Sequence, residues 1–217
     1  MKRIPDALKG VTGPHQEAEL FALEEVSKKA LILLHGRGGS AEDIVSLYNS
    51  LETAVYTLIP EAVGNSWYPQ RFVVPQIENQ PALDSALQVV TTLVHYLESM
   101  GIKKENIVLA GFSQGACLVA EYLKHYPTKY SAAVLMSGGF IGSDDEVSTM
   151  SAKASLQATP VYIGCDRNDF HIPLERVEVT ARGLEQAGAE VCLELFGNYG
   201  HRPHPTALQF LQKYLQY

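Results

Sequence analysis

Short apolar runs alternate with longer segments of helical periodicity along most of the chain, and this alternation limits the fold more than any other feature. Most residues of each run are apolar, at positions that would face both sides of a sheet, as in strands that are buried on both faces. Six such strands are predicted, at residues 30–34, 55–59, 107–110, 132–136, 160–164 and 191–196. Helical patterns separate them, which predicts an α/β fold with a mostly parallel sheet covered by helices on both faces.

The helical segments carry ordinary start and stop residues. Ser40 is expected to cap one helix, with Asp43 in the capping-box position. Pro81 begins a helix that Gly101 ends, and Pro127 closes the helix predicted at 114–126. Further helices are predicted to end near 188 and to cover 206–217. Residues 18–23 are a candidate edge strand. No linker divides the chain, so we predict one domain, with residues 1–29 as an N-terminal extension or edge strand of the main unit, 30–217.

Charge and hydropathy exclude several classes of function. Seventeen basic and 24 acidic residues give a net charge of −7, which argues against nucleic-acid partners. The apolar runs are too short for integral membrane association. The basic N-terminus continues into Pro5 and Asp6 without an apolar segment, so no secretory signal is expected. Cys117, Cys165 and Cys192 have apolar neighbours and no C-x-x-C spacing; we expect free, buried thiols and a cytoplasmic location.

The main chemical motif is Gly111-Phe112-Ser113-Gln114-Gly115, a G-x-S-x-G sequence between a predicted strand and a predicted helix. A serine at such a sharp turn projects its hydroxyl clear of the sheet, and the glycines let neighbouring backbone pass close by. The start of the helix directs amides towards developing negative charge. We predict that Ser113 is a nucleophile; the alternative is a serine that only caps the helix.

A nucleophilic serine needs a base, and the base needs an acid that orients it. This type of sheet predicts the order serine, acid, histidine, on loops that follow strands. Asp166 and Asp169 follow the strand at 160–164, and His201 and His204 follow the strand at 191–196. Order and topology fit, while the residues alone leave the choice within each pair open.

A glycine-rich turn, residues 35–39, follows the first strand. It can bring a backbone N–H to the nucleophile as an oxyanion donor beside the N–H of Gln114. His35 is expected to hold this turn. The chain has neither a P-loop nor a G-x-G-x-x-G motif, so nucleotide binding is not expected. No two histidines lie one helical turn apart with a glutamate between them, and we predict neither a metal nor a cofactor.

Two long irregular stretches, 62–80 and 138–159, are expected to border the site. Trp67 in the first and Phe140 in the second are candidates for the wall of an acyl pocket. Arg71 is a candidate to contact an acidic group of the substrate. The alternatives are that the aromatic rings pin the loop and that Arg71 pairs with a surface carboxylate. The second stretch is too short for a large cap domain.

These motifs together resemble the phospholipase/carboxylesterase family, small α/β-hydrolases that include the acyl-protein thioesterases. The resemblance extends over nearly the whole chain from about residue 30, and it is carried by 35–39, Ser66-Trp67-Tyr68, 111–115, Asp169 to Pro173 and Gly200-His201. It implies Asp169 as the acid, His201 as the base and the backbone N–H of Arg37 as the first oxyanion donor. The chain departs from the family at 166–168, where a second acid nearer Asp169 is expected.

The resulting hypothesis is a cofactor-independent serine hydrolase that cleaves small to medium carboxylic esters or thioesters through an acyl-enzyme, with Trp67, Arg71 and Phe140 as substrate contacts. The alternatives are a lactone or peptide hydrolase on the same fold and a binding protein that has lost turnover. The expected partner is a small-molecule substrate. The sequence leaves the oligomeric state open, a homodimer included.

Overall fold

Eight strands form one sheet in the computed structural model, which describes residues 1–25, 27–48, 51, 54–147 and 155–216. The strands are β1 (Lys2–Arg3), β2 (Glu19–Leu23), β3 (Ala30–Leu34), β4 (Tyr56–Glu61), β5 (Ile107–Phe112), β6 (Ala132–Met136), β7 (Pro160–Asp166) and β8 (Glu190–Phe196). Their spatial order is β1-β2-β4-β3-β5-β6-β7-β8. The strands from β4 to β8 are parallel, whereas β2 is antiparallel to both β1 and β4.

Helices cover both faces of this sheet. They are α1 (Ala41–Tyr48), α2 (Ala82–Ser99), α3 (Gln114–His125), α4 (Asp144–Val147), α5 (Leu174–Gln186) and α6 (Pro205–Leu215). Successive strand residues point to opposite sides, so Ile32 packs in the apolar cluster with α2, α3 and α5, and Leu33 packs in the cluster with α1 and α6. The predicted α/β architecture is confirmed. None of the helices in the described ranges is long and apolar enough to cross a membrane.

The predicted elements agree with the structure in existence and type, with a few informative differences. All six predicted parallel strands are present. β2 forms within the candidate strand at 18–23, but it is not an edge strand as predicted, because β1 pairs with its outer side. β4 continues through Pro60, where the sequence predicted a stop. Beyond Leu58 this strand pairs only with β2, so a residue without an N–H is tolerated there. The two-residue β1 and the four-residue α4 were too short to predict. Residues 148–154 of the predicted irregular stretch 138–159, and residue 217 of the predicted last helix, lie outside the described residues.

The expectation that all three thiols are buried is wrong for one of them. Cys117 and Cys165 are buried, whereas Cys192 is exposed on β8. β8 is the outermost strand of the sheet, so it has a neighbouring strand on one side only. An apolar run therefore does not guarantee burial at a sheet edge.

The N-terminal residues extend the sheet and pack on α2. The backbone N–H of His15 donates to Ser85 Oγ at 2.9 Å, and that of Thr12 donates to Gln88 Oε1 at 3.0 Å. Because the strands from β4 to β8 are parallel, their carboxyl ends share one edge. The residues that follow β3, β5, β7 and β8 therefore meet there, which is the usual ligand edge of an open α/β sheet.

Candidate active site

Ser113 occupies the turn between β5 and α3. Its backbone has φ 53° and ψ −116°, a conformation that side-chain-bearing residues rarely adopt. Such a conformation costs about 1–3 kcal/mol, and it persists only where the surroundings impose it. The Ser113 N–H donates to the carbonyl of Met136 at 2.8 Å, which ties the turn to β6. The turn thus holds the hydroxyl at the carboxyl edge of the sheet.

The two glycines of the motif allow close approach of backbone. A Cβ atom added at Gly111 would lie 2.4 Å from the carbonyl carbon of Gly115. A Cβ atom added at Gly115 would lie 2.4 Å from the carbonyl oxygen of Leu34. Both separations are far inside van der Waals contact, so only glycine fits at either position without movement of the backbone.

The structure brings Ser113, His201 and Asp169 together in one chain of hydrogen bonds. His201 Nε2 lies 2.8 Å from Ser113 Oγ, and His201 Nδ1 lies 2.7 Å from Asp169 Oδ2. The Asp169 carboxylate is fully buried, and the His201 side chain is 19% exposed. A carboxylate accepts from Nδ1–H, which leaves Nε2 free to accept the serine proton.

The Asp169 carboxylate is held by further donors. Its Oδ1 accepts from the N–H of His171 at 2.8 Å and from that of Ile172 at 3.2 Å. The Cys165 thiol donates to Oδ2 at 3.8 Å. Burial, followed by the charge of Asp169, raises the pKa of Cys165 to about 12, so this group stays a thiol and remains a donor. Both carboxylate oxygens are therefore oriented.

Asp166 and His204, the alternatives that the sequence left open, lie in other interactions. Asp166 accepts from the N–H groups of Asn168 (2.7 Å), Gly200 (2.9 Å) and Tyr199, and the first two of these lower its pKa most. It thereby holds the loop that leads into His201. His204 stacks on Phe196 with ring centroids 3.6 Å apart, and its Nδ1 accepts from the N–H of Thr206 at the start of α6.

The glycine-rich turn after β3 lies directly against Ser113. A Cβ atom added at Gly36 would lie 3.3 Å from Ser113 Cβ. His35 holds the turn as predicted: its Nδ1 donates to Gly36 O at 2.7 Å, and its Nε2 accepts from the N–H of Ala62 at 3.1 Å. Within the described residues, neither the N–H of Arg37 nor that of Gln114 has an acceptor. These two amides are thus available to a ligand.

The Gln114 side chain has a role that the sequence interpretation missed. Its Oε1 accepts from the N–H of Trp67 at 2.9 Å, and its Nε2 donates to Tyr68 O at 2.8 Å. This buried amide fixes the loop beside the serine. The one local sequence signal for such a role is an amide residue at the first position of α3, a helix that is mostly buried.

Trp67 and Phe140, which were predicted as walls of an acyl pocket, do not line the cleft. Both are fully buried. Trp67 Nε1 donates to His35 O at 2.9 Å, and the Trp67 ring lies 4.9 Å from the His35 ring, so the indole fills the space beneath the glycine turn.

Arg71 does line the cleft, which has a volume of about 560 Å³. Its apolar wall consists of Tyr68, Phe72, Phe112, Cys117 and Ile172.

His15 connects the N-terminal segment to this arrangement. Its Nε2 donates to Trp67 O at 2.8 Å, and its Nδ1 is buried without a partner among the described residues. Burial lowers the pKa of His15, and the bond to Trp67 offsets only part of that effect. Burial also lowers the pKa of His35. Both imidazoles are therefore neutral in the folded protein at neutral pH.

This burial predicts that the fold loses stability in mild acid. Unfolded histidines bind a proton near pH ~6.5, whereas folded His15 and His35 resist it, so the unfolded state gains protons first. The free energy of unfolding should fall below that pH by up to about 1.4 kcal/mol per pH unit for each histidine. Urea unfolding at a series of pH values measures this slope. It should be smaller in His15→Gln and unchanged in His95→Gln, which alters an exposed histidine on α2. An unchanged slope in His15→Gln would contradict the argument.

The mostly parallel sheet, with a strained serine turn at its carboxyl edge, defines an α/β-hydrolase. A family model described as Phospholipase/Carboxylesterase matches residues 15–217. The chain belongs to the phospholipase/carboxylesterase family, and it is a carboxylic ester hydrolase.

Relatives and solved structures agree with this assignment. Esterase YpfH of Escherichia coli (strain K12) is 23% identical over 214 residues, which cover 94% of this chain and 88% of the relative. Acyl-protein thioesterase 1 of Kluyveromyces lactis is 25% identical over 222 residues, which cover 94% and 96% of the two chains. The crystal structure of a phospholipase/carboxylesterase from Dyadobacter fermentans is similar with 34% identity and a TM-score of 0.86, over 96% of this chain and 100% of that one.

Proposed function

We propose that this protein cleaves carboxylic esters or thioesters of small to medium acyl chains, with Ser113 as nucleophile, His201 as base and Asp169 as the acid that orients the base. One observation carries the proposal: the unbroken hydrogen bonds from Asp169 through His201 to a serine on a strained turn. A serine without such a partner is a poor nucleophile.

In the first step, Ser113 Oγ attacks the carbonyl carbon while His201 Nε2 takes the serine proton. Asp169 stabilises the imidazolium that forms and keeps the ring in the productive tautomer. The oxygen of the tetrahedral intermediate becomes negative and is bound by the N–H groups of Arg37 and Gln114. Loss of one such donor typically costs about 3 kcal/mol of transition-state stabilisation.

Collapse of the intermediate transfers the imidazolium proton to the leaving alkoxide or thiolate and leaves an acyl group on Ser113. In the second step His201 deprotonates a water molecule, which attacks the acyl-enzyme. The same two amides bind the second oxyanion. Release of the carboxylic acid and return of the proton to Ser113 restore the starting state.

The size and lining of the cleft support small to medium substrates. Its volume of about 560 Å³ lies within the usual range for small-molecule sites, and one wall is apolar. Of the three substrate contacts predicted from the sequence, we retain Arg71, which lies at the rim of the cleft.

The proposed compartment is the cytoplasm, which is supported by the free thiols of Cys117, Cys165 and Cys192.

A substrate panel tests this function. We expect the purified protein to hydrolyse acetyl, butyryl and octanoyl p-nitrophenyl esters and the matching thioesters, with a lower kcat/KM for the dodecanoyl ester. A lactone and a peptide p-nitroanilide test the other hydrolase activities. Absence of turnover of every ester and thioester, or a higher kcat/KM for the lactone or the peptide, would overturn the proposal.

A further inference from the structure

The cleft beside Ser113 is basic, although the chain as a whole is acidic. Its lining includes the cations of Arg37 and Arg71, the imidazoles of His171 and His201, and no aspartate or glutamate of the described residues. The whole chain has 24 acidic against 17 basic residues. A local excess of the opposite sign in a concave site favours an anionic ligand, because the low-dielectric walls focus the potential.

Arg71 contributes a cation without a counter-ion among the residues that the structure describes. It is exposed, and its guanidinium pairs with no carboxylate in the part of the chain that the structure describes. By contrast, Arg3, Arg176 and Arg182 each pair with an acidic side chain. The alternative that Arg71 serves a surface ion pair therefore has no support among the described residues.

The backbone that carries Arg71 is held from two sides. The fully buried Asn79 accepts from the N–H of Gln70 at 2.8 Å and donates to Arg71 O at 3.1 Å. The Arg37 guanidinium donates to Pro69 O at 2.8 Å and also to Gln70 O. The Arg71 side chain therefore extends from a fixed base, which reduces the entropy lost when it binds a ligand.

Arg37 adds to the same positive field, and His171 adds a hydrogen-bonding group. The Arg37 guanidinium donates to two neutral carbonyl groups, and no carboxylate of the described residues pairs with it. His171 is exposed at the rim, with its ring centroid 4.7 Å from that of His201. An imidazole there offers a further donor to an anion that lies close to the reacting carbonyl.

We propose that the preferred substrate is an ester that carries a carboxylate, and that Arg71 binds this carboxylate while the scissile carbonyl lies at Ser113. A guanidinium suits this role because its paired N–H groups match the two carboxylate oxygens. The proposal rests on the ester hydrolysis proposed above. It adds the charge of the substrate, and it develops the sequence expectation that Arg71 contacts an acidic group.

Matched ester pairs test this inference. Mono-p-nitrophenyl adipate and p-nitrophenyl adipamate differ only by a carboxylate in place of an amide on the acyl side. The butyrate esters of para-hydroxybenzoate and para-hydroxybenzamide make the same exchange on the alcohol side. Each pair is assayed with the unaltered protein, with Arg71→Gln, with Arg71→Lys and with Arg182→Gln, a control that removes an exposed arginine on α5.

The measured quantity is the ratio of kcat/KM for the carboxylate ester to that for its amide partner. In at least one pair we expect this ratio to fall about five- to tenfold in Arg71→Gln, to recover largely in Arg71→Lys and to stay unchanged in Arg182→Gln. Higher ionic strength should lower this ratio in the proteins that have arginine or lysine at position 71 and not in Arg71→Gln, because salt screens an exposed ion pair. The pair that responds shows whether the carboxylate lies on the acyl or the alcohol side.

Two outcomes overturn the inference alone. One is hydrolysis of the amide esters with no dependence of either ratio on Arg71. The other is an equal fall in Arg182→Gln, which would reflect net charge rather than a site. Failure of the unaltered protein to hydrolyse any ester would overturn the proposed function, and this inference with it.

Discussion

Ser113→Ala is expected to lower kcat for p-nitrophenyl butyrate by about 10⁵- to 10⁶-fold. The change removes the oxygen that we propose as the nucleophile and leaves the His201–Asp169 pair in place. The fold should persist, because the turn is held by the N–H of Ser113, which bonds to Met136, and by the two glycines, rather than by the serine hydroxyl. Initial rates and the melting temperature of the variant measure the two effects separately.

The exposed Ser99 at the end of α2 offers a matched control. Ser99→Ala makes the same chemical change away from the cleft and should hydrolyse the ester at the rate of the unaltered protein. Retention of more than about one hundredth of the activity in a folded Ser113→Ala protein would mean that another group performs the attack.

Asp169→Asn is expected to lower kcat by about 10⁴-fold. An amide in place of the carboxylate favours the wrong tautomer of His201, and it cannot stabilise the imidazolium as a charge does. KM should change little, because the buried carboxylate does not line the cleft. Steady-state kinetics with p-nitrophenyl butyrate separate these two parameters.

Asp166→Asn is the matched comparison, since Asp166 is the nearest other carboxylate in sequence. It touches backbone N–H groups of the loop before His201 rather than the imidazole, so we expect a much smaller loss of kcat and a lower melting temperature. Its lowered pKa means that its stabilisation is present at neutral pH and is lost as the pH falls through the folded-state pKa. If Asp166→Asn lost as much kcat as Asp169→Asn, the assignment of the acid would be wrong.

The sheet was predictable because burial on both faces leaves a direct trace in the sequence, namely continuous apolar runs such as 30–34 and 132–136. The trace does not show where a strand stands in the sheet. β8 was counted with the buried strands because five of its seven residues are apolar, yet it also carries Glu190 and Glu194, lies at the edge of the sheet and exposes Cys192. Pro60 was misread for a related reason, since the end of pairing with β3 decides whether a proline is tolerated.

The residues at strand ends were predictable because topology alone brings them to one edge. The supporting contacts were not, because they join segments distant in sequence through single side chains. His15 bonds to Trp67 O, and Asn79 holds the backbone of Gln70 and Arg71. Trp67 shows the other limit: an aromatic residue in a loop has the same sequence signature whether it lines a cleft or supports the turn beneath it.

Labelling with a fluorophosphonate probe, followed by mass-spectrometric mapping of the adduct, tests the activation of Ser113 most directly, since the probe modifies only serines that a neighbouring base makes nucleophilic. We predict one adduct, on the peptide that contains Ser113, in the unaltered protein and none in His201→Ala. An adduct on a different serine, or equal labelling of Ser113 without His201, would contradict the relay from Asp169 through His201.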